Sequence, residues 1–119
     1  MIHGGMFHTA GALDLLPRDI IILDCHYRQE NPEFRSSTYF IGKGFTVVGA
    51  TFDDAVTTRN FAAYLGNLQR GVKGMCATVW YRLQWRHLTV IREILAESER
   101  AFWGERRGNA APPGGKGTR

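Results

Sequence analysis

Asp24 and His26 stand two positions apart just after an apolar run, and Tyr27 follows them. In an extended chain, residues two apart point the same way, so the carboxylate could orient the imidazole or accept a sugar hydroxyl. The same pair could instead be a cap and a loop hydrogen bond, and both readings stand at this level. Trp80 and Tyr81 close a later apolar run. An indole there could form a wall against a carbohydrate ring, or it could plug the space between a strand and its helix. Thr51, Phe52 and Asp53 end the run between these two. Trp85 and Trp103, in or beside the last helical segment, read as packing residues.

Three elements must position these groups. Ile20-Ile21-Ile22-Leu23 is a continuous aliphatic run that reads as a strand buried on both faces, as in parallel sheets. Phe45 to Thr51 and Gly74 to Val79 read as the second and third strands, each introduced by glycine. Between these two, Phe61, Tyr64, Leu65 and Leu68 recur at helical spacing behind Asp53 and Asp54, which predicts a capped helix over residues 54–70. Ser36 to Ile41 allows a short helix between the first and second strands. Ile91, Ile94, Leu95, Ser98 and Phe102 predict a last helix over 87–103. Alternating strands and helices with right-handed crossovers lay the strands parallel, in chain order, with their polar ends at one edge. Asp24, His26, Tyr27 and Trp80 are therefore expected at that edge.

The composition restricts what such an edge can serve. Residues 1–103 carry 11 Lys or Arg against 10 Asp or Glu, so most of the +4 net charge sits in the Gly- and Pro-rich tail, 104–119. That distribution predicts a folded domain over 1–103, a flexible basic tail and no specific nucleic-acid partner. Cys25 and Cys76 lack the paired spacing of a disulfide scaffold and read as reduced thiols. No apolar stretch is long enough for a membrane span, and no export signal is evident, which gives a cytoplasmic expectation without a membrane partner. His3, His8, His26 and His87 show no metal-ligand spacing, and no phosphate-cradling glycine motif occurs, so no metal or cofactor is expected.

Leu15 to Tyr27, with its Pro17-Arg18-Asp19 opening and Asp24-Cys25-His26-Tyr27 close, resembles a barrel strand of bacterial proteins related to the family 20 glycoside hydrolases. That strand ends in Asp-Trp-His-Tyr, and here Cys25 takes the tryptophan position. Gly44-Phe45-Thr46-Val47 is similar to the opening of the family's next strand, and Gly74 to Trp80 is similar to its last. Met1 to Phe7 resembles a preceding strand end, with His3 and Gly5 in place of tryptophan and aspartate.

The resemblance covers residues 1–103 and implies the last part of a (β/α)8 barrel, three to four parallel βα units in all. Its parent chemistry is hydrolysis of terminal N-acetylhexosamines, with the substrate's acetamido group as nucleophile and an Asp-Glu pair assisting. No residue of this chain matches that pair, so the chain alone is expected to be catalytically silent. By the same resemblance, Trp80 is the aromatic wall of the pocket, and Asp24, His26 and Tyr27 are its polar rim. The replacements at His3, Gly5 and Cys25 imply that carbohydrate binding is weak or lost. The alternative is a non-enzymatic sugar-binding or oligomerising module, since an incomplete barrel offers two unpaired strand edges to a second copy.

Overall fold

The computed structural model describes residues 11–110 apart from Gln69, and only the backbone of residues 105–110. The matches proposed for Met1 to Phe7 lie outside the described residues. The chain forms strand β1 (Ile21–Cys25), helix α1 (Arg35–Gly42), strand β2 (Thr46–Thr51), helix α2 (Ala55–Gly66), strand β3 (Val72–Ala77), a 3-10 turn at Trp85–His87, and helix α3 (Leu88–Ala110). The strands make one parallel sheet in the order β1-β2-β3. Neighbouring parallel strands in chain order are what the aliphatic runs predict.

Local chemistry sets the element ends. Asp54 caps α2, its carboxylate accepting from the Thr57 backbone N–H at 2.9 Å and the Thr57 hydroxyl at 2.6 Å. Helix α1 closes in a Schellman motif, in which Gly44 N–H donates to Ile41 O at 2.9 Å and Phe45 N–H to Phe40 O at 3.1 Å. Gly44 has φ +96°, a conformation that costs glycine little. Helix α3 runs seven residues beyond the expected end at Trp103. Elongating a formed helix costs little, so Gly104 and Gly108 weaken it without stopping it. It is described as far as Ala110. The rest of the tail, 111–119, lies outside the described residues.

Both crossovers lie on one face of the sheet. Asp24 and Gly49 are paired in register and point to the same side. Helix α1 reaches that side through Ser36 and Ser37, which hydrogen-bond Asp24. Helix α2 reaches it at Gly49, where an added Cβ would fall 2.5 Å from Leu65 Cδ1 and 2.9 Å from Met75 Sδ. Only glycine lets the helix come that close. Helix α3 joins α2 through an Arg59 Nη1–Glu97 Oε1 ion pair at 3.0 Å. The core lies under this layer, with Phe34, Phe61 and Leu65 buried and Tyr64, Leu68, Val72 and Met75 packed around them.

The opposite face departs from expectation. Ile21 and Leu23, predicted to be buried on both sides of their strand, are 54% and 53% exposed. Their alternation points them away from the helices, and no described layer covers that side. Leu95 is likewise 52% exposed, because the buried line of α3 runs through Ile94 and Ser98 instead.

Candidate functional site

The four residues expected at the strand-end edge separate into two pairs. Asp24 is sealed beneath α1, its Oδ2 accepting from the Ser36 hydroxyl at 2.7 Å and the Ser37 hydroxyl at 2.6 Å. His26 Nε2 lies 2.8 Å from Ser36 Oγ and 3.3 Å from Asp24 Oδ1. Because the Ser36 proton points at Asp24, the Ser36 oxygen must accept from His26, which puts the imidazole proton on Nε2. The ring is held edge-on by Phe34 and Phe61 at centroid distances of 5.1 and 4.9 Å.

This polar cluster is not a nucleophile with its base. The facing imidazole nitrogen is itself a donor and cannot take the Ser36 proton, and the carboxylate that accepts from Ser36 has its pKa held down, which makes it a weak base. Burial pushes the Asp24 carboxyl up, but the nearby His26 ring and the hydrogen bonds from Ser37 and Ser36 outweigh it and hold the pKa below the ordinary value. Asp24 therefore stays ionised and ties β1 to α1. Strand alternation turned it toward the helices, so it does not line the open edge.

Tyr27 and Trp80 do meet there. The Trp80 indole N–H donates to the Tyr27 hydroxyl at 3.0 Å, and Trp80 is 66% exposed. It is no plug between strand and helix. Tyr27 packs edge-on to Phe52 at 5.7 Å, Phe52 lies 5.5 Å from Tyr81, and Tyr81 lies 5.5 Å from His87. An aromatic wall thus follows the ends of all three strands. Trp85, read as a packing residue, is 88% exposed on the 3-10 turn, and Trp103 is 49% exposed.

An ion pair fixes the base of this wall. Arg28 Nη2 donates to both Asp53 oxygens at 3.0 Å, and the Tyr81 hydroxyl donates to Asp53 Oδ2 at 3.1 Å. The bond to the Asp53 carboxylate raises the Tyr81 pKa, with burial and the charge of Asp53 adding to it. Arg28 escaped the sequence reading, although opposite charges at successive strand ends, Arg28 after β1 and Asp53 after β2, were a visible signal. Asp53 looked like a helix cap, and Asp54 alone does that work.

Both cysteines are free. Each pairs with Ala50 from its own side, which sets them about 9.6 Å apart across two strand spacings, beyond disulfide reach. Among the described residues, no three His, Cys, Asp or Glu side chains gather as a metal site, and no helix is long and apolar enough to cross a membrane. A cleft of about 410 Å³ between α2 and α3 is lined by Phe52, Asp53, Thr58, Ile94 and Glu97. Compared with known proteins, the chain matches no protein-family model, and no curated protein sequence matches it significantly.

Proposed function

We propose that this chain is the C-terminal part of a barrel of the family 20 glycoside hydrolase type, whose strand-end rim binds a sugar ring weakly and which alone hydrolyses nothing. The observation that carries the sugar reading is Trp80, whose N–H is tied to Tyr27 while two thirds of the residue is open to solvent. A fixed, exposed indole face suits the C–H face of a pyranose. The barrel reading is supported by the parallel order β1-β2-β3 with α1 and α2 on one face. A sheet wound in one direction curls toward closure, whereas a doubly wound sheet reverses its order and carries helices on both faces.

Catalytic silence follows from the two carboxylates nearest the rim. General-acid catalysis needs a protonated carboxyl within reach of the glycosidic oxygen. Asp24 is buried and ionised, and both oxygens of Asp53 are engaged by Arg28 and Tyr81. Chromogenic N-acetylhexosaminides should therefore show no turnover above background, while saturation-transfer NMR should detect N-acetylglucosamine at an affinity of about 1 mM or weaker. Trp80→Ala should abolish that signal without lowering Tm appreciably. A signal that survives the substitution rejects the rim, and turnover lost in Asp24→Asn rejects the silent reading.

A second reading, an oligomerising module, is favoured by the uncovered apolar groups. Ile21 and Leu23 lie on the open sheet face, and Leu88 and Leu95, 40% and 52% exposed, stand seven residues apart and so on one side of α3. The outer edge of β3 pairs with no described strand. On this reading light scattering should give a mass above one chain that rises with concentration, and Leu23→Lys with Leu95→Lys should return it to one chain. A single-chain mass at every concentration rules it out.

A further inference from the structure

We infer that the strand-end rim selects an acidic saccharide, with a neutral ring on Trp80 and a carboxylate on Arg28. The inference rests on the sugar-binding reading of the rim and adds the charge of its ligand.

The hydrogen-bonding inventory of the rim is lopsided. Its carboxylate, Asp53, accepts from Arg28 on both oxygens and from Tyr81 on one. The Trp80 N–H is engaged by Tyr27. What remains for a ligand are donors. Arg28 uses only Nη2 on Asp53, so its Nε and Nη1 N–H groups are unengaged, and its side chain is 73% exposed. The Tyr27 hydroxyl, having accepted from Trp80, keeps its own proton to give.

A surface of donors recognises acceptors, and the N–H groups of a charged guanidinium are matched best by anionic oxygens, which make the stronger charge-assisted bonds. Asp53 also grips the guanidinium from behind, so less side-chain entropy is lost when a ligand arrives. Along the segment that carries Trp80 the charge has the same sense, whereas Asp53 and Asp54 lie near Arg28. From Thr78 to Arg92 there is no Asp or Glu, while Arg82 and Arg86 are exposed. Glu30, two residues beyond Arg28, makes no ion pair among the described residues. A neutral N-acetylhexosamine would leave the charged Arg28 N–H groups without an anionic acceptor, whereas a hexuronate joined to such a sugar would occupy both ends of the rim.

The test is an NMR titration of the full chain at low salt with two disaccharides, glucuronate–N-acetylglucosamine and the neutral N,N′-diacetylchitobiose. The acidic one should bind on the order of tenfold more tightly, the discount from a buried charge-assisted bond reflecting the exposure of Arg28. Arg28→Gln should erase that preference, Arg28→Lys should restore only part of it, and Trp80→Ala should weaken both ligands. Equal affinities would overturn the acidic preference and leave the rim intact. A preference that persists in Arg28→Gln would also overturn it, by placing the anchor elsewhere, and binding of neither ligand would reject the rim itself.

Discussion

Asp24→Ala is expected to cost about 3–5 kcal/mol, a large part of the roughly 5–15 kcal/mol that holds a domain of this size together. The substitution strips the Ser36 and Ser37 hydroxyls of their acceptor and removes the carboxylate beside His26, all beneath α1. Each buried group without a partner keeps its full desolvation penalty. Urea unfolding followed by circular dichroism should show the midpoint falling with m unchanged. A midpoint within 1 kcal/mol of the parent would mean that Asp24 is not the tie between β1 and α1.

The pH dependence follows from the same geometry. The Asp24 pKa is lower folded than unfolded, so its contribution is complete above the ordinary carboxylate value of about 3.9 and disappears as pH falls through the lowered folded value. Asp54, lowered by its hydrogen bonds from Thr57, adds in the same direction. The urea midpoint should hold from pH 7 to about 5 and drop below about 4. In Asp24→Asn the drop should be shallower, because one of the linked carboxylates is gone.

Phe61→Ala should be comparably damaging, at about 3–5 kcal/mol and a fall in Tm of at least about 12 °C. Phe61 is fully buried, stacks on Phe34 at 4.3 Å and supports the His26 ring at 4.9 Å. Its removal opens a cavity and loosens the imidazole at once. Leu95→Ala is the matched control, since the helical spacing of the sequence treats it as core and the structure leaves it half exposed. It should change Tm little, and a loss equal to that of Phe61→Ala would show that something covers the flank of α3.

What the sequence determined by itself is whatever depends on neighbours along the chain. Apolar runs marked the strands to within two residues, Asp54 marked the start of α2, and Gly44 marked the entry to β2. Propensity, capping and turn chemistry act over a few residues, so their signals are local and legible. The βα alternation likewise implied parallel strands in chain order, because right-handed crossovers leave few alternatives.

Tertiary structure alone decided which side each residue faces and what waits there. The spacing of Asp24 and His26 correctly put them on one side of β1, but only the position of α1 made that side a sealed cluster instead of an open rim. Ile21 and Leu23 read as core because hydrophobicity records a tendency to be covered, not whether a covering layer is present. The rim came together from Arg28, Asp53 and Trp80, on three strand ends separated by up to 52 positions along the chain. Hydrogen bonds between such residues depend on ångström-scale register, and no pattern within a single segment carries that information.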